Sequence, residues 1–61
     1  MKNYVRKYRK AAKLTLAQLA ELSSVPVSTI SDIERGAEPR LETALRIARA
    51  LKRPVEALWR L

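Results

Sequence analysis

The chain contains no cysteine and no histidine. Those absences remove disulfides, thiol nucleophiles, imidazole bases and the usual zinc ligand sets. Acids are scarce as well: six Asp and Glu stand against thirteen Lys and Arg, and no two are spaced as a pair for acid/base work. An enzyme, a metal centre or a cofactor is therefore not expected. No apolar run approaches the ~20 residues that a membrane span needs, and none has the form of a signal-peptide core. The expectation is a soluble, cytoplasmic, nucleoid-associated protein. With 61 residues the chain makes one domain, and a domain this small buries only about 60% of the surface its unfolded form exposes. Folds of this size rely on disulfides, metal, partner subunits or very regular helix packing. The first two are excluded, which leaves regular helices or oligomerisation.

What is present in excess is positive charge. The formal net charge is +7, and its distribution is uneven. Residues 1–13 hold six Lys and Arg and no acid; residues 14–34 hold no base and three acids, Glu21, Asp32 and Glu34; residues 35–61 hold seven bases and three acids. A polyanion is the natural partner of such a chain. The central acidic island means that the flanks would hold most of the phosphates.

The island itself carries the strongest pattern. Leu16 to Glu34 reads as two short helices joined by a three- or four-residue turn, the sequence form of a helix-turn-helix that enters a DNA groove. Thr15 is a good N-cap and Gln18 stands at N3, a capping box. Leu16, Leu19, Ala20 and Leu22 mark the apolar face of the second helix, and the small Ala20 suits a close, steep crossing. Pro26 breaks the chain and can open a third helix over about Val27–Arg35, with Ile30 and Ile33 inward. Gly36, the only glycine, supplies a left-handed stop. The turn before Pro26 calls for a positive φ, yet the chain offers Ser23-Ser24, at an expected cost on the order of 1 kcal/mol. Before this motif, Tyr4, Val5, Tyr8 and Ala12 form the stripe of an amphipathic first helix over residues 2–12. After it, Leu41, Ala44, Leu45, Ala48 and Leu51 trace the core stripe of a fourth helix, about 41–52. Pro54 opens a short fifth helix in which Val55 and Leu58 share a face with Leu61, beside Trp59. There are no repeats or linkers. The expected fold is an all-α, compact five-helix bundle.

These residues resemble the phage repressor and Cro type of helix-turn-helix domain, the XRE family. The matching string begins at Arg9-Lys10-Ala11-Ala12-Lys13-Leu14-Thr15 and continues through Leu19-Ala20, Val25, Ile30-Ser31, Glu34-Arg35-Gly36 and Pro39. It then runs from Leu41 to Leu51 and ends at Leu58, covering nearly the whole chain. The resemblance implies a lambda-repressor-like fold and a sequence-specific regulator of transcription, a repressor by type. It also implies double-stranded DNA as partner, with the third helix in the major groove. In such repressors the second helix of the motif lies in the major groove, and dimers span half-sites about one turn apart. Several positions depart from the family pattern. Ser24 and Lys52 stand in place of glycine at two turns, and Pro26 and Pro54 in place of Ser or Thr caps. The loop Gly36-Ala37-Glu38-Pro39 is about one residue short. Leu16 replaces a Gln that touches the phosphate backbone in relatives.

Carried over position by position, Arg9 and Glu34 form a structural ion pair that ties the first helix to the third. Val27, Ser28 and Asp32, with Thr29 and Ser31 nearby, match base-reading positions. Val27 suits a thymine methyl and Asp32 the exocyclic amine of cytosine, while Ser28 suits several bases or simple helix-start chemistry. No Arg, Lys, Asn or Gln is offered for a bidentate base contact, so direct readout should be modest. Arg35 and Arg40 match phosphate-gripping positions, and Lys10 and Lys13 lie near the start of the second helix. Arg46, Arg49 and Arg53 fall on the expected solvent face of the fourth helix. Trp59 and Leu61 either cap the core or form the seam of a homodimer, which is the favoured reading. A chain this short leaves no room for a ligand-sensing domain, so no small-molecule ligand is expected. Two rival readings stand beside this one. The first is an antitoxin-like or anti-repressor protein-interaction module on the same fold, suggested by the acidic, Arg-free third helix. The second is a basic amphipathic membrane segment at residues 1–13.

Overall fold

In the computed structural model, which describes residues 2–60, five helices follow one another. They are α1 (Val5–Ala11), α2 (Leu16–Ser23), α3 (Val27–Glu34), α4 (Leu41–Leu51) and α5 (Val55–Leu58). Extended pairing among the described residues is limited to one antiparallel bridge between Asn3 and Trp59. Beside it the Tyr4 amide donates to the Leu58 carbonyl at 2.8 Å, so the two ends of the chain are clipped together. No helix among the described residues is long and apolar enough to cross a membrane.

The first helix is shorter than the sequence pattern predicts. Asn3 accounts for its late start: its side-chain oxygen accepts from the Val5 amide at 3.0 Å, and its amide nitrogen donates to the Ile33 carbonyl at 2.7 Å. An Asx turn of this kind competes with helix at the residues it spans. The face turned inward carries Val5 and Arg9, while Ala12 lies past the helix end and is exposed. Tyr4 and Tyr8 are half-buried, with Arg53 4.9 Å from the Tyr8 ring centre and Arg60 5.6 Å from that of Tyr4. Lys7 sits 5.8 Å from both rings.

The second helix begins with the expected capping box. The Gln18 amide donates to Thr15 Oγ1 at 3.0 Å, and the Thr15 amide donates to Gln18 Oε1 at 2.8 Å. Three residues, Ser24 to Pro26, then separate α2 from α3. The core comprises Val5, Leu19, Val25, Ile30, Ile33, Ala44, Ile47, Ala48, Leu51, Leu58 and Trp59. Three leucines expected inside are not there: Leu22 is 60% exposed, Leu41 73% and Leu45 46%. The inner stripe of α4 is Ala44, Ile47, Ala48 and Leu51, an i, i+3, i+4, i+7 set rotated from the stripe of larger side chains. Small residues face inward because α4 packs directly on α2, and Ala44 and Ala48 allow the close approach. Ser23 takes the buried place on α2 that Leu22 does not, its hydroxyl donating to the Leu19 carbonyl at 2.7 Å. That bond lets a polar group sit inside without an unsatisfied donor.

Each of the first four helices ends on a residue with positive φ, and only one of the four is glycine: Lys13 (59°), Ser24 (58°), Gly36 (115°) and Lys52 (58°). After α1, α3 and α4 the amide pairs characteristic of a Schellman stop are present. Examples are Ala37 to the Asp32 carbonyl with Gly36 to the Ile33 carbonyl, and Arg53 to the Ala48 carbonyl with Lys52 to the Arg49 carbonyl. A side chain in the left-handed region costs about 1–2 kcal/mol, of which glycine's freedom in the unfolded chain returns about 0.5–1 if it is introduced. The net still favours glycine. Ser24→Gly and Lys52→Gly should each raise the thermal midpoint by several degrees in a domain of this size. A calorimetric midpoint that stays level or falls would show that the turns are not strained in this way.

Candidate nucleic-acid interface

The third helix has one face inside and one free. Ile30 and Ile33 are buried; Ser28, Asp32 and Arg35 follow each other along the opposite side at i, i+4 and i+7, and all three are exposed. Ser31 is half-buried on one flank of this stripe. Val27, 42% exposed, opens the helix next to the turn. Thr29 is half-buried and lines an open groove of about 610 Å³ against the α3–α4 loop, together with Pro26, Pro39 and Arg40.

The stripe is not a row of independent groups. Arg35 Nη2 donates to Asp32 Oδ1 within one turn of helix, both side chains being more than half exposed. Asp32 therefore holds the guanidinium of a residue the sequence assigns to phosphate, and the carboxylate it assigns to base reading is itself engaged. An exposed pair of this spacing contributes only about 0.3–0.5 kcal/mol, so either partner is readily drawn to another ligand. Arg40 precedes α4 and is exposed, as are Lys10 and Lys13 at the α1–α2 turn. None of these three has an ion-pair partner among the described residues. Arg40 lines the groove beside Thr29 and Asp32, so the exposed α3 stripe is a largely neutralised face with an unpaired cation at its edge.

Beneath that face the ends of α1 and α3 are locked. Arg9 Nε donates to Glu34 Oε2 at 2.7 Å and Arg9 Nη2 to Glu34 Oε1 at 3.2 Å, with Arg9 8% exposed and the Glu34 side chain 2%. The remaining nitrogen, Nη1, donates to the Leu14 carbonyl at 2.8 Å, which binds the α1–α2 turn into the same knot. Arg6 joins from the surface, its Nε 3.3 Å from Glu34 Oε1. The sequence reading missed that third partner, although Arg6 lies one helical turn before Arg9. It also missed Asn3, whose bond to the last turn of α3 spans thirty positions and leaves no local signal. Trp59 is in the core, 8% exposed, closing the bundle over α5 rather than standing out as a seam for a second copy. Leu61, the other residue assigned to that seam, lies outside the described residues. Among the described residues no group of three or more acids could hold a metal ion.

Residues 5–58 match the family model described as Helix-turn-helix, which spans all five helices. No curated protein matches the chain.

Removing one member of a buried ion pair strands the other charge and costs about 3–5 kcal/mol, whereas replacing both by apolar groups costs far less. Arg9→Met and Glu34→Leu should each lower the urea midpoint sharply. The double variant should recover a large part of the loss, although the Leu14 carbonyl still loses its donor. Single variants with near-wild-type midpoints would show that the pair does not fasten α1 to α3.

Proposed function

Because the chain belongs to the XRE-type helix-turn-helix family, whose members are DNA-binding regulators, we propose that it is a sequence-specific transcriptional regulator that reads the major groove with α3. The observation that carries this reading is the exposed α3 stripe of Ser28, Asp32 and Arg35, with the unpaired Arg40 lining the groove beside it. Val27 and Ser28 meet base edges near the start of α3. Asp32 accepts from a cytosine amine once Arg35 turns to a phosphate, and Arg40, Lys10 and Lys13 grip the backbone on either side. The fit is one of shape and charge more than of bidentate base contacts.

Few base-reading groups per copy imply little discrimination by one copy alone, since each good contact is worth about 1–3 kcal/mol. The regulator therefore works as a homodimer on two half-sites about one helical turn apart. Repression by occupying such a site needs nothing beyond the domain itself. The acidic content of α3 is compatible with this arrangement, because Asp32 is paired and Glu34 is buried in the Arg9 pair.

Selection of bound sequences from a random duplex pool should return a preferred, twofold-related site. Affinity for it should fall steeply with salt, each neutralised phosphate adding roughly −0.9 to the log–log slope. No enrichment, together with a slope near zero, would remove DNA as the partner. Arg40→Ala should weaken all duplexes about equally. Asp32→Ala should alter base preference while raising affinity for unrelated duplexes, because it frees Arg35; an unchanged preference would take Asp32 off the reading surface.

A further inference from the structure

Leu22 on α2 and Leu41 and Leu45 on α4 are exposed together, and with the half-buried Ala50 they floor an open groove of about 810 Å³. Among the described residues nothing covers this floor, and no residue of α3 lines it, although Ser24, Glu42 and Arg46 also border the groove beside Thr29 and Asp32. Three large apolar side chains this exposed in so small a domain mark a surface that is covered in use. The groove also has a rim of one sign. Arg46, Arg49 and Lys52 stand along it with a single acid, Glu42, which Arg46 already engages at 2.6 Å. Arg49 and Lys52 have no ion-pair partner among the described residues.

We propose that this groove takes an acidic amphipathic helix of a partner protein, with leucine-like side chains on the Leu22–Leu41–Leu45 floor and carboxylates against Arg49 and Lys52. The length fits: α4 from Leu41 to Leu51 is about 16 Å long, three turns of a docked helix. Grooves that seat a single amphipathic helix through i, i+3, i+4 and i+7 anchors are a recurring mode of recognition. A second copy of this chain is a poorer occupant on two counts. A concave surface does not fill itself across a twofold axis, and the contact would set one cationic rim against another. An extended DNA backbone is poorer still, because the floor is apolar. Since the α3 stripe stays free, the partner binds alongside DNA and links the domain to other machinery.

The test uses two synthetic peptides of about fifteen residues, sharing leucines at i, i+3, i+4 and i+7, one with glutamates on the flanks and the other with lysines. With fluorescence anisotropy on the full chain, the acidic peptide should bind saturably at one per chain and the lysine peptide should not. Leu45→Glu and Leu41→Ser lie on the exposed side of α4 and should each weaken acidic-peptide binding by about tenfold or more. Both variants should keep wild-type melting and wild-type affinity for any selected duplex. Arg49→Glu, which leaves the rim with equal numbers of both signs, should remove most of the preference for the acidic peptide. Absence of binding, or equal binding to Leu45→Glu, overturns the proposal, the latter reducing it to attraction between net charges. Sedimentation in which wild type is a dimer and Leu45→Glu a monomer also overturns it, giving the groove to a second copy. None of these failures touches the reading of α3, which duplex selection tests by itself.

Discussion

The buried carboxylate of Glu34 is the constraint on which the rest of the structure turns. Burying a charge costs several kcal/mol, and the cost is recovered only if its oxygens are fully engaged in good geometry. Arg9 engages both oxygens and uses its third nitrogen on the Leu14 carbonyl, and Arg6 adds a partner from the surface. The knot joins the last turn of α3, the body of α1 and the turn into α2. Asn3, bonded to the Ile33 carbonyl, adds the N-terminal segment, which in turn pairs with Trp59. All of this happens at one end and one side of α3. The opposite side is left with no packing partner, and a short helix held so firmly from behind can present a fixed stripe of side chains.

How far the sequence disclosed this depends on the range of each interaction. The Thr15–Gln18 box, the left-handed residue at Ser24, the start at Pro26 and the inward Ile30 and Ile33 are all set by neighbours within four positions, and each is readable from those neighbours. The inner face of α4 is readable only in part, because its rotation is decided by how closely α2 approaches. The helical period picks out Ala44, Ala48 and Leu51, which are buried, but also Leu41 and Leu45, which are exposed, and it passes over the fully buried Ile47. Ser23 and Asn3 escape for a related reason. Polar residues look like surface until a backbone carbonyl, near or distant, is known to satisfy them. At the α3 face the helical period places Ser28 and Asp32 outward, but the bond between Asp32 and Arg35 requires the rotamers as well as the spacing.

The positive charge divides by use. Of thirteen Lys and Arg, four form ion pairs among the described residues: Arg6, Arg9, Arg35 and Arg46. Lys7, Arg53 and Arg60 gather over the rings of Tyr4 and Tyr8, joining α1 to the α4–α5 junction and the C-terminal segment. Contacts of that kind contribute about 0.5–1 kcal/mol each where they are exposed. Around α1, Tyr8 falls about 200° from Arg6, whose side chain reaches Glu34, and Tyr4 precedes the helix as its N-cap. These three cations are engaged with the rings, so the net charge of +7 overstates the positive charge that stands without a partner.

In the proposed complex with DNA, that moderation has a physical use at the α3 stripe. A free Arg35 would attract any phosphate, adding affinity without sequence information. Held by Asp32, it must give up a bond worth a few tenths of a kcal/mol before gripping a backbone. The release also uncovers a carboxylate, which repels phosphates and is welcome only where a donor such as a cytosine amine stands opposite. Under the proposed mode of binding, the affinity of Arg35 for the backbone is conditional on what Asp32 meets at the bases. One exposed ion pair of small intrinsic value can in this way convert a sequence-blind contact into a discriminating one. The discrimination comes from the penalty for a carboxylate left unpartnered against the duplex, not from the strength of the pair itself.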